Sequence, residues 1–516
     1  MLNRYIRLFN TIKYLKPIQI KYRLYYLVRK KIRVFLGKRY SFSKDSNCNS
    51  LNLRNSVHII DSYHGKNHFN FLNLEKSFNR TIDWNYFEHG KLWTYNLTYF
   101  DYLSQENHKE HLSLINSFIE NIEQLKDGLE PFPLSLRGIN WIKYLSLNNI
   151  NNKKINDSLY AQYYILMDNL EYHLLGNHLL ENGFSLLFGA YYFNDEVLYQ
   201  KSKEILLEQL EEQILEDGGH FELSPMYHQI MLFRLFDCIN LLQNNMWQEN
   251  DFLEFLIKKS ELMLGWLENI SYKNGDIPLF NDSACGIAPT SGQLFEYAHR
   301  LNVKTDKTSL SQSGYRKISK KNYECIVDVG HIGAGYIPGH AHADTFNFEL
   351  RVKGEPFIVD TGLSTYETND RRTLERSTAS HNTVEVKCKS QSDVWGGFRV
   401  GNRANIIDLK ERKNSIQATH DGYKKDNIFH TRKWCFDENK IVIEDSLSEP
   451  VDAIARFHFA PSVREEEILR IFKIKNNGFK IKNYEYSSEF NVRRVAFVLE
   501  IEFNHSLVVE ILNLEK

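Results

Sequence analysis

Two patterns of hydrophobic and polar residues divide the chain near residue 310. Between about residues 85 and 305, apolar residues recur at the spacing of amphipathic helices, and short polar or Gly/Pro segments separate the runs. After residue 322 the chain shows short alternating runs bounded by Gly and Asn turns, as in "TFNFELRVKGEPFIVD" and "KIVIEDSL". We therefore predict a helical domain followed by an antiparallel β-sandwich.

The successive helices with short connections predict hairpins stacked into a bundle, a solenoid or a toroid, and no repeat is strict enough to choose a solenoid family. A chain of 516 residues is too long for one compact core. The predicted divisions are a basic helical segment over residues 1–60, a helical catalytic domain over 61–312 and the β-sandwich over 313–516.

The first 44 residues are strongly basic, with thirteen Lys or Arg and no Asp or Glu, although the whole chain carries a net charge of only −1. This near-neutral balance argues against a nucleic-acid partner. The segment looks helical with a break near Pro17, and apolar and aromatic residues alternate with the basic ones. It is suited to an anionic membrane surface or a polyanion, and equally to packing against an acidic part of the protein.

Other bulk features narrow the class of protein only slightly. No apolar run approaches the ~20 residues that span a bilayer, and the N-terminus lacks a signal-peptide pattern. We therefore expect a cytoplasmic location or one peripheral to the inner membrane, with a periplasmic location left open. The six cysteines form no CxxC pair, so they indicate neither a disulfide framework nor a zinc finger. The aromatic share of 13% suits a sugar-binding cleft or a large core.

The stretch "PGHAHADTFNFEL" places His340, His342 and Asp344 immediately before an alternating strand. Three interpretations are open: a metal site, an acid/base site, or a polar strand cap without function. Asp360 and His381 also lie at strand boundaries, and two His with one carboxylate suit a tetrahedral Zn²⁺ that has one further ligand.

The spacing of this candidate metal set is weak support on its own. Counted back through the turn at Gly354, Asp360 faces Glu349 rather than His342, so a flat hairpin would keep the candidate ligands apart.

Three stretches of the helical domain also carry candidate chemistry. "GNHLLENG" puts His178 and Glu181 on one helix face next to Asn177, where a carboxylate can orient an imidazole. In "ELSPMYHQIML", Ser224 predicts an N-cap, which leaves Tyr227 and His228 in the positive first turn of a helix. Each stretch also has a purely structural explanation, as a surface polar patch or as first-turn packing.

"EPFPLSLRGINWIKYL" combines Arg137, Asn140 and Trp141. A guanidinium, an amide and an indole together suit recognition of an acidic sugar. The same residues also fit an ordinary helix start.

The motifs together resemble the heparinase II/III-like family of polysaccharide lyases. The resemblance is carried by "GHIGAGYIPGHAHADTFNFELRVKGEPFIVDTGLSTYE" and "RRTLERSTASHNTVEV", and in the helical half by "GNHLLENG", "SPMYH" and "PLSLRGINWIKYL". It extends over roughly residues 85–435. The family fold is an (α/α) toroid followed by an antiparallel β-sandwich.

The resemblance implies a role for each candidate residue. His340 reaches into the cleft between the domains, and His342, Asp360 and His381 hold a structural zinc ion. The implied catalytic set is Asn177, His178, Tyr227 and His340. The predicted substrate-binding residues are Arg137, Asn140, Trp141, Glu181, His228 and Asp282.

The reaction implied is β-elimination on an acidic, uronic-acid-containing polysaccharide. The proton on C5 is too weakly acidic while the neighbouring carboxylate keeps its full charge, so Asn177 and His178 would stabilise the enediolate. Tyr227 or His340 would remove the proton, depending on the sugar stereochemistry, and Tyr227 would protonate the departing oxygen.

Other functions also agree with the sequence. A uronyl C5-epimerase shares the proton abstraction, and a non-catalytic binding or assembly factor would use the same cleft. The basic N-terminus resembles relatives associated with bacterial surface-polysaccharide assembly. A glycoside hydrolase would need two opposed carboxylates, and the sequence offers only Glu181 and Asp282.

Overall fold

The computed structural model describes residues 2–105, 110–248, 251–475 and 478–514. Eleven helices precede the large β-domain in this described part of the chain, and two short ones lie within that domain. The helices are α1 (Leu2–Ile12), α2 (Pro17–Phe35), α3 (Lys91–Tyr99), α4 (His111–Asn121), α5 (Pro131–Leu147), α6 (Lys153–Asp168), α7 (Gly176–Phe193), α8 (Glu196–Gln213), α9 (Pro225–Asn244), α10 (Asp251–Ile270), α11 (Ser291–Arg300), α12 (Asp370–Glu375) and α13 (Glu465–Ile471).

Helix α7 is the central helix of the helical domain. It is apolar around nearly its whole circumference and almost entirely buried, because α5, α6, α8 and α9 pack against it. Gly183 and Gly189 let its neighbours approach closely, since a Cβ at Gly189 would lie 2.6 Å from the Tyr163 ring. This packing fixes the N-terminal end of α7, where the "GNH" motif lies.

A two-stranded hairpin that the sequence patterns did not predict precedes α3. Its strands are β1 (His68–Phe71) and β2 (Leu74–Ser77). Phe71 packs edge-on against Trp93, which anchors the hairpin in the helical core. The turn residue Asn73 donates to the Glu489 carboxylate and the Phe490 carbonyl of the β-domain. The hairpin therefore joins the two domains beside the cleft.

The β-domain consists of antiparallel sheets. Its strands are β3 (Tyr315–Ser319), β4 (Tyr323–Asp328), β5 (Phe348–Val352), β6 (Glu355–Ile358), β7 (Val384–Val386), β8 (Val394–Trp395), β9 (Arg399–Val400), β10 (Ile406–Arg412), β11 (Ser415–His420), β12 (His430–Phe436), β13 (Ile441–Leu447), β14 (Ala453–His458), β15 (Phe472–Ile474), β16 (Phe479–Glu489), β17 (Val492–Phe503) and β18 (Ser506–Ile511).

A six-stranded sheet, in the order β10-β11-β12-β13-β18-β15, forms one layer of the sandwich. Two four-stranded sheets, β3-β4-β5-β6 and β16-β17-β14-β7, are joined by a bridge between Ile358 and Phe459. Alternating residues of these sheets, such as Phe348, Trp434 and Phe457, share one buried apolar core. The predicted toroid and β-sandwich are confirmed, with α11 ending at Arg300 and β3 beginning at Tyr315.

The basic N-terminal segment forms two helices separated at Pro17, and both pack against the protein. Tyr22 stacks on Tyr172 with ring centroids 4.7 Å apart, and the Arg29 and Arg33 guanidinium groups pair with Asp168 at 3.0 and 2.6 Å. After Phe35 the chain continues without helix or strand until β1.

Helix α2 packs on the toroid, whereas helix α1 lies on the β-domain. Arg7 pairs with Asp393 at 2.9 Å, the Trp395 indole donates to the Thr11 hydroxyl, and Arg403 lies over the Tyr14 ring. The two N-terminal helices therefore contact both the toroid and the sandwich. No described helix is both long enough and apolar enough to cross a bilayer.

Candidate functional site

The cleft between the domains receives side chains from three places. The first turn of α7 supplies Asn177 and His178, the first turn of α9 supplies Tyr227, and the loop before β5 supplies His340. The backbone enters α7 through Gly176, which has φ +60°, and a Cβ there would lie 2.7 Å from a Glu222 carboxylate oxygen. This position therefore requires glycine.

Tyr227 and His340 form the centre of the site. Their rings lie nearly face to face with centroids 3.9 Å apart. The His340 Nε2 atom is 3.3 Å from the Asn177 amide nitrogen and 3.5 Å from a Glu222 carboxylate oxygen. Two groups able to transfer protons thus reach the same small region of the cleft.

Helix α9 begins as predicted, because the Ser224 hydroxyl accepts a hydrogen bond from the Tyr227 backbone N–H and Pro225 takes the first position. The phenol does not become a tyrosinate in this first turn. Burial raises the pKa of Tyr227, and the neighbouring Asp282 and Glu222 carboxylates raise it further, although the hydrogen bond to Tyr366 opposes the shift. The hydroxyl therefore carries its proton at neutral pH and is able to donate it.

Asp282 connects the histidines behind this pair. Its buried carboxylate lies 2.9 Å from His340 Nδ1 and 2.8 Å from His342 Nε2, and it accepts two hydrogen bonds from the Arg372 guanidinium. Burial opposes ionisation, but the charge of Arg372 and these hydrogen bonds hold the pKa of Asp282 well below its usual 3.8. The prediction that Asp282 contacts substrate is wrong, because the carboxylate is fully buried. It orients the two histidines instead.

His178 faces the cleft from the opposite side and is partly exposed. Its Nδ1 atom lies 3.0 Å from the Glu171 carboxylate, and its ring packs on Phe132. Burial by itself lowers the pKa of an imidazole, but the Glu171 charge and hydrogen bond outweigh that effect, so the pKa of His178 is raised. His178 is therefore suited to carry a positive charge toward an anionic ligand.

The Glu181 carboxylate does not orient His178 or reach the cleft, so its predicted substrate contact is wrong. It is fully buried and lies 3.3 Å from the Arg234 guanidinium. Burial raises its pKa to about 7, although Arg234 opposes the shift. Glu181 and His178 do lie on one helix face, as the spacing predicted. Neighbouring helices cover that face at Glu181 and leave it partly open at His178.

Three other residues predicted to bind substrate are enclosed in the protein. Arg137 is fully buried, with its guanidinium donating to Gln162 and to the Thr98 and Gly128 carbonyls, and Trp141 lies in the core. His228 is enclosed against Trp266, and burial lowers its pKa to about 3. These side chains hold the toroid together.

Asn140 is the residue of the "RGINW" motif that reaches open space. It lines a cavity of about 150 Å³ between the domains, together with Asn96, Arg234 and residues of both domains. This cavity shares Leu72, Ile287 and Phe490 with the apolar cluster that packs against Tyr227. The pocket and Tyr227 therefore border the same apolar cluster.

Two of the predicted metal ligands, Asp360 and His381, lie close together in the sandwich behind Asp282, and Asp344, which was not predicted as a ligand, joins them. Donor atoms of Asp344, Asp360 and His381 all lie within 4.8 Å of one another, and all three residues are buried. His342 lies beside them, with its ring centroid 5.2 Å from that of His381. A register shift between Leu350 and Arg351 in the β5–β6 hairpin removes the flat geometry that argued against bringing Asp360 close.

Several buried donor atoms of this cluster lack a hydrogen-bond partner among the described residues. They are His342 Nδ1, Asp344 Oδ2 and His381 Nε2. Buried polar atoms are rarely left unpaired in a folded protein, and a mixed set of imidazole and carboxylate donors is the kind that Zn²⁺ binds. The residues present therefore fit a metal ion.

Four residues of the site were not predicted. Glu171, Glu222 and Tyr366 each contact a catalytic candidate, and Arg372 contacts Asp282. Glu171 lies seven residues before His178, whereas the other three are remote in sequence from their partners. For Glu222, the acidic residue directly before "LSPMYH" was a usable indication. The partnership of Arg372 with Asp282 depends on a domain contact that no local pattern encodes.

The fold and site define a two-domain protein in which a helical toroid and a β-sandwich enclose a Tyr–His proton-transfer pair. Residues 155–300 match the family model of the heparinase II/III N-terminus, and residues 302–500 match that of the heparinase II/III-like C-terminal domain. The chain belongs to the heparinase II/III-like family.

Individual relatives agree with this assignment. A heparin-sulfate lyase of Bacteroides stercoris is 22% identical over 309 residues, which cover 54% of this chain and 44% of that protein. The chain thus matches less than half the length of that relative. A crystal structure of heparinase III has a TM-score of 0.62 at 15% identity and covers 98% of this chain and 93% of its own.

A second solved structure, heparan sulfate lyase from Pedobacter heparinus, has a TM-score of 0.54 at 16% identity, covering 87% of this chain and 81% of its own. At such identities these two structures establish the fold alone.

Proposed function

We propose that the protein is a polysaccharide lyase that cleaves an acidic, uronic-acid-containing polysaccharide by β-elimination. The main support is the close contact of the Tyr227 and His340 rings beside Asn177 and His178. Relatives named heparin-sulfate lyase support a lyase reaction on a polysaccharide. The cavity that borders the same apolar cluster as Tyr227 is a candidate place for a neighbouring sugar of the polymer.

Substrate activation begins at the uronate carboxylate. While that group holds its full charge, removal of the C5 proton would place a second negative charge beside it. His178, cationic because of Glu171, binds the carboxylate and draws off charge as the enediolate forms. The Asn177 amide donates to Glu222 at 3.0 Å, so the substrate carboxylate has to compete for that donor.

The reaction then transfers two protons. His340 takes the C5 proton, and the C–H electron pair becomes the C4–C5 double bond. The bond from C4 to the glycosidic oxygen breaks, and its electron pair leaves with the oxygen. Tyr227, whose pKa is raised by burial, supplies a proton to that oxygen.

The test is ultraviolet absorbance of the unsaturated uronate on a panel of heparan sulfate, hyaluronan and alginate, with His340→Ala as the inactive control. Absorbance that rises with wild type alone is the expected result. Deuterium entering C5 in D₂O without chain shortening would identify a uronyl C5-epimerase instead. Binding without either change on any polymer would favour a non-catalytic binding factor and contradict the lyase.

We further propose that the buried cluster holds a structural zinc ion. Asp344, Asp360 and His381 would hold it, with the unpaired Nδ1 of His342 as a further donor. When bound, the ion would cross-link the loop before β5 with the strands beside it. Its binding energy would then be part of the folding energy.

Substitution of His340 and of His342, the two histidines of "HAH", should have different effects. His342→Ala should lose stoichiometric zinc by elemental analysis and melt at a lower temperature. His340→Ala should keep both zinc and melting temperature and lose turnover. Loss of zinc from the His340 variant, or a wild-type protein that never contains zinc, would contradict this assignment.

The charge on His178 gives a pH-dependent prediction. Glu171→Gln should lower the pKa of His178, because the group that raises it is removed. Since the cationic form binds the substrate carboxylate, the alkaline limb of the kcat/KM profile should move to lower pH in the variant. An unchanged limb would remove His178 from carboxylate binding, whereas a uniform drop at all pH values would indicate a merely structural role for Glu171.

A further inference from the structure

The two N-terminal helices expose an unusual amount of apolar surface. Phe35 is 88% exposed, Phe9 68% and Leu24 60%. In α2 the exposed apolar residues recur at helical spacing and form one stripe. We call this stripe, together with the exposed aromatic residues of α1, the outer face, and it comprises Tyr5, Phe9, Ile20, Leu24, Leu27 and Phe35.

The outer face is held outward by the packing of the opposite side of α2. Gln19 donates to the Leu174 carbonyl, Tyr26 donates to the Leu170 carbonyl, and Arg33 pairs with Asp168. These residues lie on the helix side opposite Leu24 and Leu27. The rest of the chain therefore fixes the helix and leaves its apolar stripe uncovered.

Basic residues flank the outer face. Lys21 lies on one side of the stripe, Arg23 and Lys30 lie on the other, and Lys31 lies within it; all four are exposed. Among the described residues none of these four takes part in an ion pair, unlike Arg29 and Arg33 on the packed side. Because the first 44 residues contain no carboxylate, the surface presents apolar groups and uncompensated positive charge together.

We infer that the outer face binds the surface of an anionic lipid membrane, with α1 and α2 lying in the plane of the interface. Apolar side chains would enter the boundary between headgroups and acyl chains, and the flanking Lys and Arg would contact lipid phosphates. This inference does not depend on the proposed lyase activity.

The charge pattern favours a membrane over the other occupants. In a symmetric dimer the same patch would face itself, so the basic flanks would oppose each other. An acidic polysaccharide would pair with the Lys and Arg side chains but would leave Leu24, Leu27 and Phe35 in water. A lipid surface satisfies both parts of the pattern.

The test is co-sedimentation of the full chain with vesicles of equimolar phosphatidylglycerol and phosphatidylcholine, against phosphatidylcholine alone. Wild type should bind the anionic vesicles and weaken as salt rises. The variant Leu24→Glu/Leu27→Glu/Phe35→Glu should bind at least roughly tenfold more weakly, because withdrawing even one Leu from the interface costs about a decade. The control Val197→Glu/Leu469→Glu/Val495→Glu changes three residues with comparable exposure elsewhere and should bind like wild type.

A second variant protects the test against misfolding. Lys30→Glu/Lys31→Glu changes exposed charges only, and should bind anionic vesicles several-fold more weakly. The inference would be overturned if wild type did not bind anionic vesicles. It would also be overturned if the outer-face variants bound them as well as wild type. A dimer in sedimentation velocity that dissociates in the triple Glu variant, without vesicle binding by wild type, would make a second copy the occupant and overturn it as well.

Discussion

Tyr227→Phe should lower kcat by about 10²- to 10⁴-fold while leaving the melting temperature nearly unchanged. The substitution removes one hydroxyl, whose contact in the described structure is the Tyr366 hydroxyl at 3.3 Å. The aromatic ring remains to pack on His340. Turnover should therefore fall without loss of substrate binding, and steady-state kinetics on the polymer identified by the absorbance test will measure kcat and KM separately.

Tyr366→Phe is the matched control, because it removes the other hydroxyl of the same hydrogen bond. Tyr366 is partly buried and approaches His340 less closely, with ring centroids 6.1 Å apart. Its loss should cost less than about tenfold in kcat, as for removal of one neutral hydrogen bond. If the Tyr366 variant loses as much turnover as the Tyr227 variant, the proton donor has been assigned to the wrong tyrosine.

Asp282→Asn should destabilise the protein by about 3–5 kcal/mol, because it leaves the buried Arg372 guanidinium without its counter-charge. The same change leaves one acceptor oxygen where His340 and His342 each had one, so the orientation of a histidine and the activity should be lost as well. The double variant Asp282→Asn/Arg372→Gln should regain part of the lost stability, since no unpaired charge remains. Chemical denaturation of the four proteins measures this coupling, and strictly additive losses would contradict it.

The stabilisation by Asp282 should also depend on pH in a defined direction. The pKa of this carboxyl is well below 3.8 in the folded protein, so the folded state holds the ionised form more strongly than the unfolded chain does. The contribution of Asp282 to stability is complete above the pKa that its carboxyl has in the unfolded chain. This contribution is lost as the pH falls below that pKa. The gap in melting temperature between wild type and Asp282→Asn should therefore shrink on acidification below about pH 4.

The fold was predictable from the sequence because its elements are periodic. The change from helical to alternating spacing near residue 310 matches the interval between α11 and β3. The hairpin of β1 and β2 was not predicted, since its stability comes from aromatic packing on α3 rather than from its own pattern. The break at Pro17 was also correct, because proline starts a helix more easily than it continues one.

The site was predictable to the extent that short motifs carry it. The sequence located His178, Tyr227 and His340, which face the cleft. It could not distinguish polar residues that line the cleft from those that support it, as with Arg137 and Glu181. Both lie within turns of helices whose cleft-facing side is decided by neighbouring helices, so burial there is a property of the assembled toroid.

The contacts of α1 and α2 with both domains have a mechanical consequence. Helix α2 adheres to the toroid near Tyr172, helix α1 adheres to the sandwich near Trp395, and only a short turn separates them. Trp395 belongs to the hairpin whose Phe398 touches His340. The two N-terminal helices therefore tie the toroid to the sandwich on the side of the cleft where Phe398 meets His340, and they would resist separation of the domains there.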